Sequence, residues 1–276
     1  MRNWFPIIRR RLGVVWGITH RNLKMQSKYP VDYLYRLFPS LKDSLYAILV
    51  GVFVSIQGTE FSGVSYAYFL LSGYIVWVSV SGSFYNVVSD FYYDMQRKNV
   101  LTLYVYGASF VELALGYAIM QTLNALLFSI PFIVTLGIIG VNLAISFASL
   151  VSIVFLYVIS WLFFFAFALL FLGLYVIYKH ISTLERAVYD AIALLSGLTF
   201  STDVIPYPFS VLKYLLPTYY LLTVTRYALL KPNLPSSLPL YFVVAPLIAV
   251  SALAAGYLIL KRGVRVAKKR GTLWTL

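Results

Sequence analysis

Apolar residues run along this chain in long unbroken stretches, each closed by charged or turn-forming residues, and not in the strict alternation of a half-buried strand. Six stretches stand out: residues 40–57, 66–89, 113–139, 145–177, 187–201 and 238–260. A helix rises about 1.5 Å per residue and a bilayer core is about 30 Å thick, so around 20 apolar residues cross it. The pattern predicts an all-α polytopic membrane protein with six transmembrane helices. Two stretches depart from the common length. The fourth is long enough to tilt or to project from the bilayer as helix. The fifth reaches only about 22 Å, so the chain that follows must stay at membrane depth. In residues 202–235, Pro206, Pro208 and Pro217 break an apolar segment into two short amphipathic helices, too apolar for a solvated loop and too broken for a span. A re-entrant helical hairpin between spans five and six is therefore expected on the outer side.

Composition sharpens this reading. Apolar residues make up 61% of the chain and charged ones 11%, against roughly a quarter charged in soluble domains, which excludes a soluble enzyme, a disordered tail or a collagen-like chain. The net charge of +13 has to be read by position. Lys and Arg crowd residues 2–42 and 261–270, and Arg97, Lys98, Lys179 and Arg186 occupy two internal connections. Residues 58–65 and 140–144 carry neither, and 202–237 holds only Lys213, Arg226 and Lys231. Basic residues stay on the cytoplasmic side, so the expectation is a multi-pass plasma-membrane protein with both termini cytoplasmic. The charge is then topology, and no nucleic-acid partner is implied. Absence of Cys and the presence of only His20 and His180 argue against a disulfide, a thiolate or histidine metal site and a cofactor held by this chain. Abundant Tyr, Val and Ile with few Gln suits a thermophilic prokaryote.

Three regions divide the chain: an interface segment (1–39), a transmembrane domain (40–260) and a basic cytoplasmic tail (261–276). The interface segment is no cleavable signal peptide, because its apolar run from Leu12 to Ile18 is short and is followed by more basic residues. At 100° per residue, Trp4, Ile8, Leu12, Val15, Thr19 and Leu23 share one face of an N-terminal amphipathic interfacial helix, opposite Arg9, Gly13, His20, Lys24 and Lys28. It serves as an anchor on membrane lipid or as a docking surface. Pro39 is expected in the first turn of span one.

Acidic and amide residues at bilayer depth are costly and call for a role. Glu112 suits the N-terminus of span three. Arg186 and Asp190 are spaced to pair at the mouth of span five. Gln121 and Asn124 lie one turn apart in span three, where they glue helices or line a route. In span two, Ser72, Gly73, Ser79, Ser81, Gly82 and Ser83 permit close helix packing. The 24 Tyr and 20 Phe exceed what interfacial belts need, so some face the interior or a substrate route. Residues 90–107, with mixed charge and then aromatics, read as a cytoplasmic helix lying against a partner.

Taken together, the basic amphipathic start, six spans, a cytoplasmic helix after span two and a proline-punctuated pair before the last span resemble the type 2 permease of ATP-binding-cassette exporters. The local match is Ile205, Pro206, Leu212, Leu216, Pro217, Thr218 and Tyr219, followed by Arg226, Tyr227, Ala228, Leu229 and Leu230. The run Lys98, Asn99, Val100, Leu101 and Thr102 stands where drug-exporting members often carry a Gly-Thr-Leu-Glu-like sequence. The resemblance implies a dimer of permeases, each bound to a separate nucleotide-binding ATPase subunit that holds ATP and Mg. It implies ATPase coupling through Tyr93, Asp94, Gln96, Arg97, Lys98, Asn99 and Leu101, and an outer gate including Pro206, Pro217, Tyr219 and Arg226. The chain itself has no Gly-x-x-x-x-Gly-Lys-Ser/Thr phosphate loop and so no catalytic site for ATP. The import-type Glu-Ala-Ala motif is absent too, which favours export of a lipophilic small molecule, lipid or glycan. The rival classes are an ion- or proton-coupled carrier or channel, centred on Glu112 and Asp190, and an intramembrane enzyme. The last lacks a Gly-x-Ser-x-Gly run, and Tyr189 and Asp190 match only half of an aspartyl protease pattern.

Overall fold

The computed structural model describes residues 5–54, 65–139, 145–230 and 234–271. Among them the chain is all helical. Helix α1 spans Phe5–Lys28 and α2 Pro30–Phe53; α3 (Tyr66–Ser81) and α4 (Tyr85–Gln96) follow one another through a single turn. A short α5 (Asn99–Val105) precedes α6 (Phe110–Phe128) and α7 (Ile130–Ile138), then come α8 (Phe147–Tyr178) and α9 (Ser182–Leu195). Two 3-10 turns, Thr202–Val204 and Phe209–Leu215, lead to α10 (Pro217–Leu230) and α11 (Leu238–Lys269).

Among the described residues, four segments are long and apolar enough to cross a membrane: Tyr66–Gln96, Phe110–Ile138, Phe147–Tyr178 and Leu238–Lys269. The first and last outrun the lengths expected from sequence, because amphipathic turns at their basic ends continue the helix after the apolar run stops. Residues 261–269 are accordingly the end of α11 and not a separate tail. Pro39 also departs from expectation. It lies inside α2, which begins at Pro30, so Pro30 takes the proline-tolerant first turn and the boundary at residue 39 falls within one helix.

Contacts between side chains set the running directions. Tyr157 Oη donates to the Ser79 carbonyl at 3.1 Å, Phe84 lies by Phe164 and Phe171, and Tyr92 lies by Tyr175, so α3–α4 and α8 run parallel. Asp94 meets Tyr117 and Asp90 meets Gln121, so α6 runs against α4. Gly51 meets Ala67 while Ala47 clusters with Leu70 and Leu71, which turns α2 against α3. Helix α9 also opposes α3, from Tyr189 at Ser81 to Leu198 beside Gly73.

The scaffold is the α8–α11 pair, also parallel. A Cβ at Gly256 would sit 2.3 Å from the Ala166 carbonyl oxygen, and one at Gly263 2.3 Å from that of Gly173. Glycine at these two positions lets the backbones touch over two turns, replacing lipid contact with dense packing. On the opposite face of α8, Phe84, Phe163, Phe164 and Phe171 are all buried. Helix α6 starts sharply because Ser109 and Glu112 form a capping box: the Ser109 amide donates to Glu112 Oε2 at 2.7 Å and the Glu112 amide to Ser109 Oγ at 3.2 Å.

Helix α1 packs on α6 with a face that keeps Val15 and Thr19 of the expected one but takes in Ile18 in place of Leu12. Val15, Ile18 and Thr19 are buried, Thr19 Oγ1 donating to the Gly116 carbonyl at 3.1 Å, whereas Leu12 and Trp16 are both 63% exposed. Tertiary packing against α6 selects the stripe with small and β-branched residues; Leu12 and Trp16 stay exposed. Trp4 lies outside the described residues.

Overpacking the α8–α11 seam with Gly263→Leu is expected to cost about 1–3 kcal/mol, seen as a lower unfolding midpoint in detergent. Gly137→Ala, where a Cβ meets nothing within 4 Å, should leave the midpoint unchanged or raise it. Equal behaviour of the two variants would contradict the close approach.

Candidate functional site

Helix α4 continues past residue 89, and this carries two carboxylates, Asp90 and Asp94, onto the last turns of a spanning helix. Each is held differently. Asp90 accepts a hydrogen bond from Gln121 Nε2 on α6, and Asn124 Nδ2 donates to Gln121 Oε1 at 3.3 Å. Asp94 pairs with the Arg21 guanidinium from α1, accepts from Tyr117 Oη at 2.5 Å and from Asn99 Nδ2 at 3.1 Å. One carboxylate thus joins α1, α4, α5 and α6.

Two cavities meet at Asp90 and Tyr93, which line both. The deeper, of about 410 Å³, lies among α2, α3–α4, α6 and α9, with Ser81, Tyr85, Asn86, Gln121 and Tyr189 in its wall. The outer, of about 570 Å³, is bounded by Arg21, Gln26, Arg97, Asn99 and Tyr117. Together they form a cleft along α4, its second part reaching the corner where α4 turns into α5. Its depth is polar and aromatic: Tyr85 and Tyr189 rings stand 4.9 Å apart, and Tyr189 Oη accepts from Trp77 Nε1 at 2.7 Å. Hydroxyl, amide and carboxylate groups between aromatic faces suit a ligand with both apolar and hydrogen-bonding parts.

The expected single helix over 90–107 is instead a corner. Residues 90–96 complete α4, the chain reverses at Lys98 in the left-handed region (φ 60°), and α5 supplies two turns. Tyr93, Gln96, Arg97, Lys98 and Asn99 are exposed on this corner. Leu101 is buried with Val100 and belongs to the core, while Asp94 faces its own partners. Glu112 is occupied as the α6 cap, 3.9 Å from Arg11. Gln121 and Asn124 are both buried, with Gln121 in the cleft wall.

Arg186 and Asp190 form no ion pair with each other or with any described residue, and both are exposed. The inward face of α9 carries Glu185 and Tyr189 instead. Glu185 is 3% exposed, and Tyr175 Oη donates to its Oε2 at 3.3 Å. Burial pushes its carboxyl up to about 7, against the smaller opposing effect of the Tyr175 bond.

The residues expected at an outer gate separate. Pro206 is exposed, Tyr219 half-buried, and Pro217 opens α10 from a buried position. Arg226 is 4% exposed and donates to the carbonyls of Gly197 (2.7 Å) and Leu198 (2.9 Å), its guanidinium 3.5 Å over the Phe69 ring. It ties down the turn that follows the C-terminal end of α9, where the helix dipole also favours a cation. Gly73 makes room: a Cβ there would lie 2.8 Å from the guanidinium.

Sequence spacing did not mark Asp90, Arg21 or Tyr117, since their partners lie far away along the chain. The i, i+4 spacing of Asp90 and Asp94 was the one available local signal. No family model matches the chain, and a search of curated proteins found no match.

Replacing Arg226 with Leu leaves two buried carbonyls without donors and should lower stability by about 2–4 kcal/mol, measured by thermal unfolding in detergent. Arg226→Lys, with no fork to span both oxygens, should fall between. Glu185 binds its proton more tightly folded than unfolded. Its stabilising contribution is therefore full below the ordinary value of 4.5 and lost as pH rises through about 7. Glu185→Gln should flatten that decline; parallel pH profiles for both proteins would refute the assignment.

Proposed function

We propose that this chain is the permease subunit of a type 2 ATP-binding-cassette exporter, working as a dimer with a separate ATPase that binds ATP and Mg. The observation that carries the reading is the cleft beneath an exposed corner: Gln96, Arg97, Lys98 and Asn99 lie at the end of the helix that forms the cleft wall. A partner pushing on this corner moves α4 directly. The Asp94 cluster passes the displacement to α1 and α6, whose Gln121 and Tyr117 border the cleft.

A six-crossing topology is supported by the running directions. Helix α2 opposes α3 and, at 24 residues, is about 36 Å long. Helices α8 and α11 are parallel, so the chain between them has to return across the bilayer once. At 14 residues, α9 covers about 21 Å, and the turns with buried α10 complete the return as a re-entrant element. Arg21, Arg97, Lys98, Lys179 and the end of α11 share one end of the molecule, which the distribution of basic charge assigns to the cytoplasm. The cavity beside Arg21, Arg97 and Asn99 then lies at the cytoplasmic end, where an exporter would load its cargo. Its mixed lining favours an amphiphilic cargo: a lipophilic small molecule, a lipid or a lipid-linked glycan.

A second reading has one specific observation behind it. Asp90 is a carboxylate on a spanning helix facing a cavity, a feature of ion-coupled carriers. Glu112, capping α6, and exposed Asp190 line neither cavity, so Asp90 replaces them as that reading's centre.

Purification from native membrane in mild detergent should recover a stoichiometric phosphate-loop ATPase. With Arg97→Glu and Lys98→Glu together, substrate should no longer stimulate ATP hydrolysis although the permease stays folded. A single-chain oligomer without ATPase, whose transport is abolished by Asp90→Asn, would replace the exporter with the carrier.

A further inference from the structure

A groove of about 380 Å³ lies outside the cleft, between the N-terminus of α6 with neighbouring Tyr104 and the basic end of α11. Its floor is apolar, with Phe110, Leu260 and half-exposed Tyr257, and its rim carries Lys261, Arg265 and Lys268. At i, i+4 and i+7 these three cations fall on one face of α11. Among the described residues none lies within ion-pair distance of a carboxylate, and the Lys268 ammonium rests 5.0 Å from the Tyr104 ring centroid. Three exposed like charges in a row repel one another and are unfavourable unless an anion sits among them.

We infer that this groove binds an anionic phospholipid, its phosphate held by Lys261, Arg265 and Lys268 and an acyl chain lying on Phe110, Tyr257 and Leu260. The arrangement favours a lipid over a free anion, because the cations stand at the end of a membrane-crossing helix and the surface below them is apolar. Aromatic Tyr104 and Tyr257 flank the level where headgroups meet hydrocarbon. Basic pockets between helices at the membrane surface take acidic headgroups for these reasons. The inference is independent of the exporter reading.

The full chain, purified and delipidated in detergent, would be titrated with phosphatidylglycerol or phosphatidylcholine and followed by native mass spectrometry and thermal unfolding. Phosphatidylglycerol is expected to give a one-to-one adduct and a higher midpoint, with phosphatidylcholine binding about tenfold more weakly or less. Lys261→Gln, Arg265→Gln and Lys268→Gln together should weaken the phosphatidylglycerol adduct about tenfold or more. Lys42→Gln, Arg186→Gln and Arg262→Gln, removing the same charge from exposed positions outside the groove, should not. Equal retention of both lipids by the unaltered protein, or equal loss in the two triple variants, would overturn the proposal. So would an equal midpoint rise with inorganic phosphate, which would make the groove a free-anion site.

Discussion

A guanidinium buried without a carboxylate partner governs how the second half of this protein closes. Arg226 is held by two backbone carbonyls at the end of α9 and by the face of Phe69. Such a charge is tolerable only where oriented dipoles replace water, and a helix C-terminus supplies them. The arrangement demands three things together: the chain leaving α9 must turn at Gly197, α3 must present Gly73 and Phe69 there, and α10 must enter the core far enough to deliver the side chain. Gly197, at φ +79°, lets the chain turn at that point. Short α9 is thereby finished by a side chain from α10, and the two short helices behave as one element packed on α3.

Around this anchor the packing divides into a rigid seam and a polar wall. The α8–α11 seam is dense and dry, its backbones in contact at two glycines, with aromatic rings filling the other side of α8 toward α3–α4. On the far side of α4, toward α1 and α6, packing gives way to Asp90, Asp94, Gln121 and Tyr117. Buried polar groups of this kind need every partner in place, which makes the network specific and also responsive to movement of any member. The cleft lies where hydrophobic packing is incomplete and polar side chains replace it.

Charge is sorted along the same axis. The basic residues gather at one end, beside the corner at Arg97 and Lys98 and the groove on α11, while Asp203 and Lys213, 3.6 Å apart, lie on the segment leading away from α9. An exposed corner, a cleft beside it and a basic groove on α11 thus share one end of the molecule. A partner acting there would meet all three at once.

Much of this was legible in the chain. Continuous apolar runs required membrane-crossing helices, because an unpaired backbone cannot lie in hydrocarbon. The four longest of these runs are the four described helices long enough to span, and Glu112, expected at the start of the third span, caps α6. The short fifth run led to the expectation of a re-entrant hairpin at membrane depth; what the structure shows there is α10 with most of its first ten residues buried. What local pattern could not decide was which face of each helix turned inward. On α9 the charged pair Arg186 and Asp190 satisfied helical spacing, yet Glu185 and Tyr189 face the core. On α1 the hydrophobic stripe pointed through Leu12, yet the small surface at Gly116 selected Ile18. Asp94 with Arg21 and Arg226 with Gly197 are joined across distant stretches of chain, and no period in the sequence encodes such contacts. Length, hydropathy and capping act within a few residues and determined where the helices are. Orientation depends on the shape and polarity of the neighbour each helix meets, and only the tertiary structure decided that.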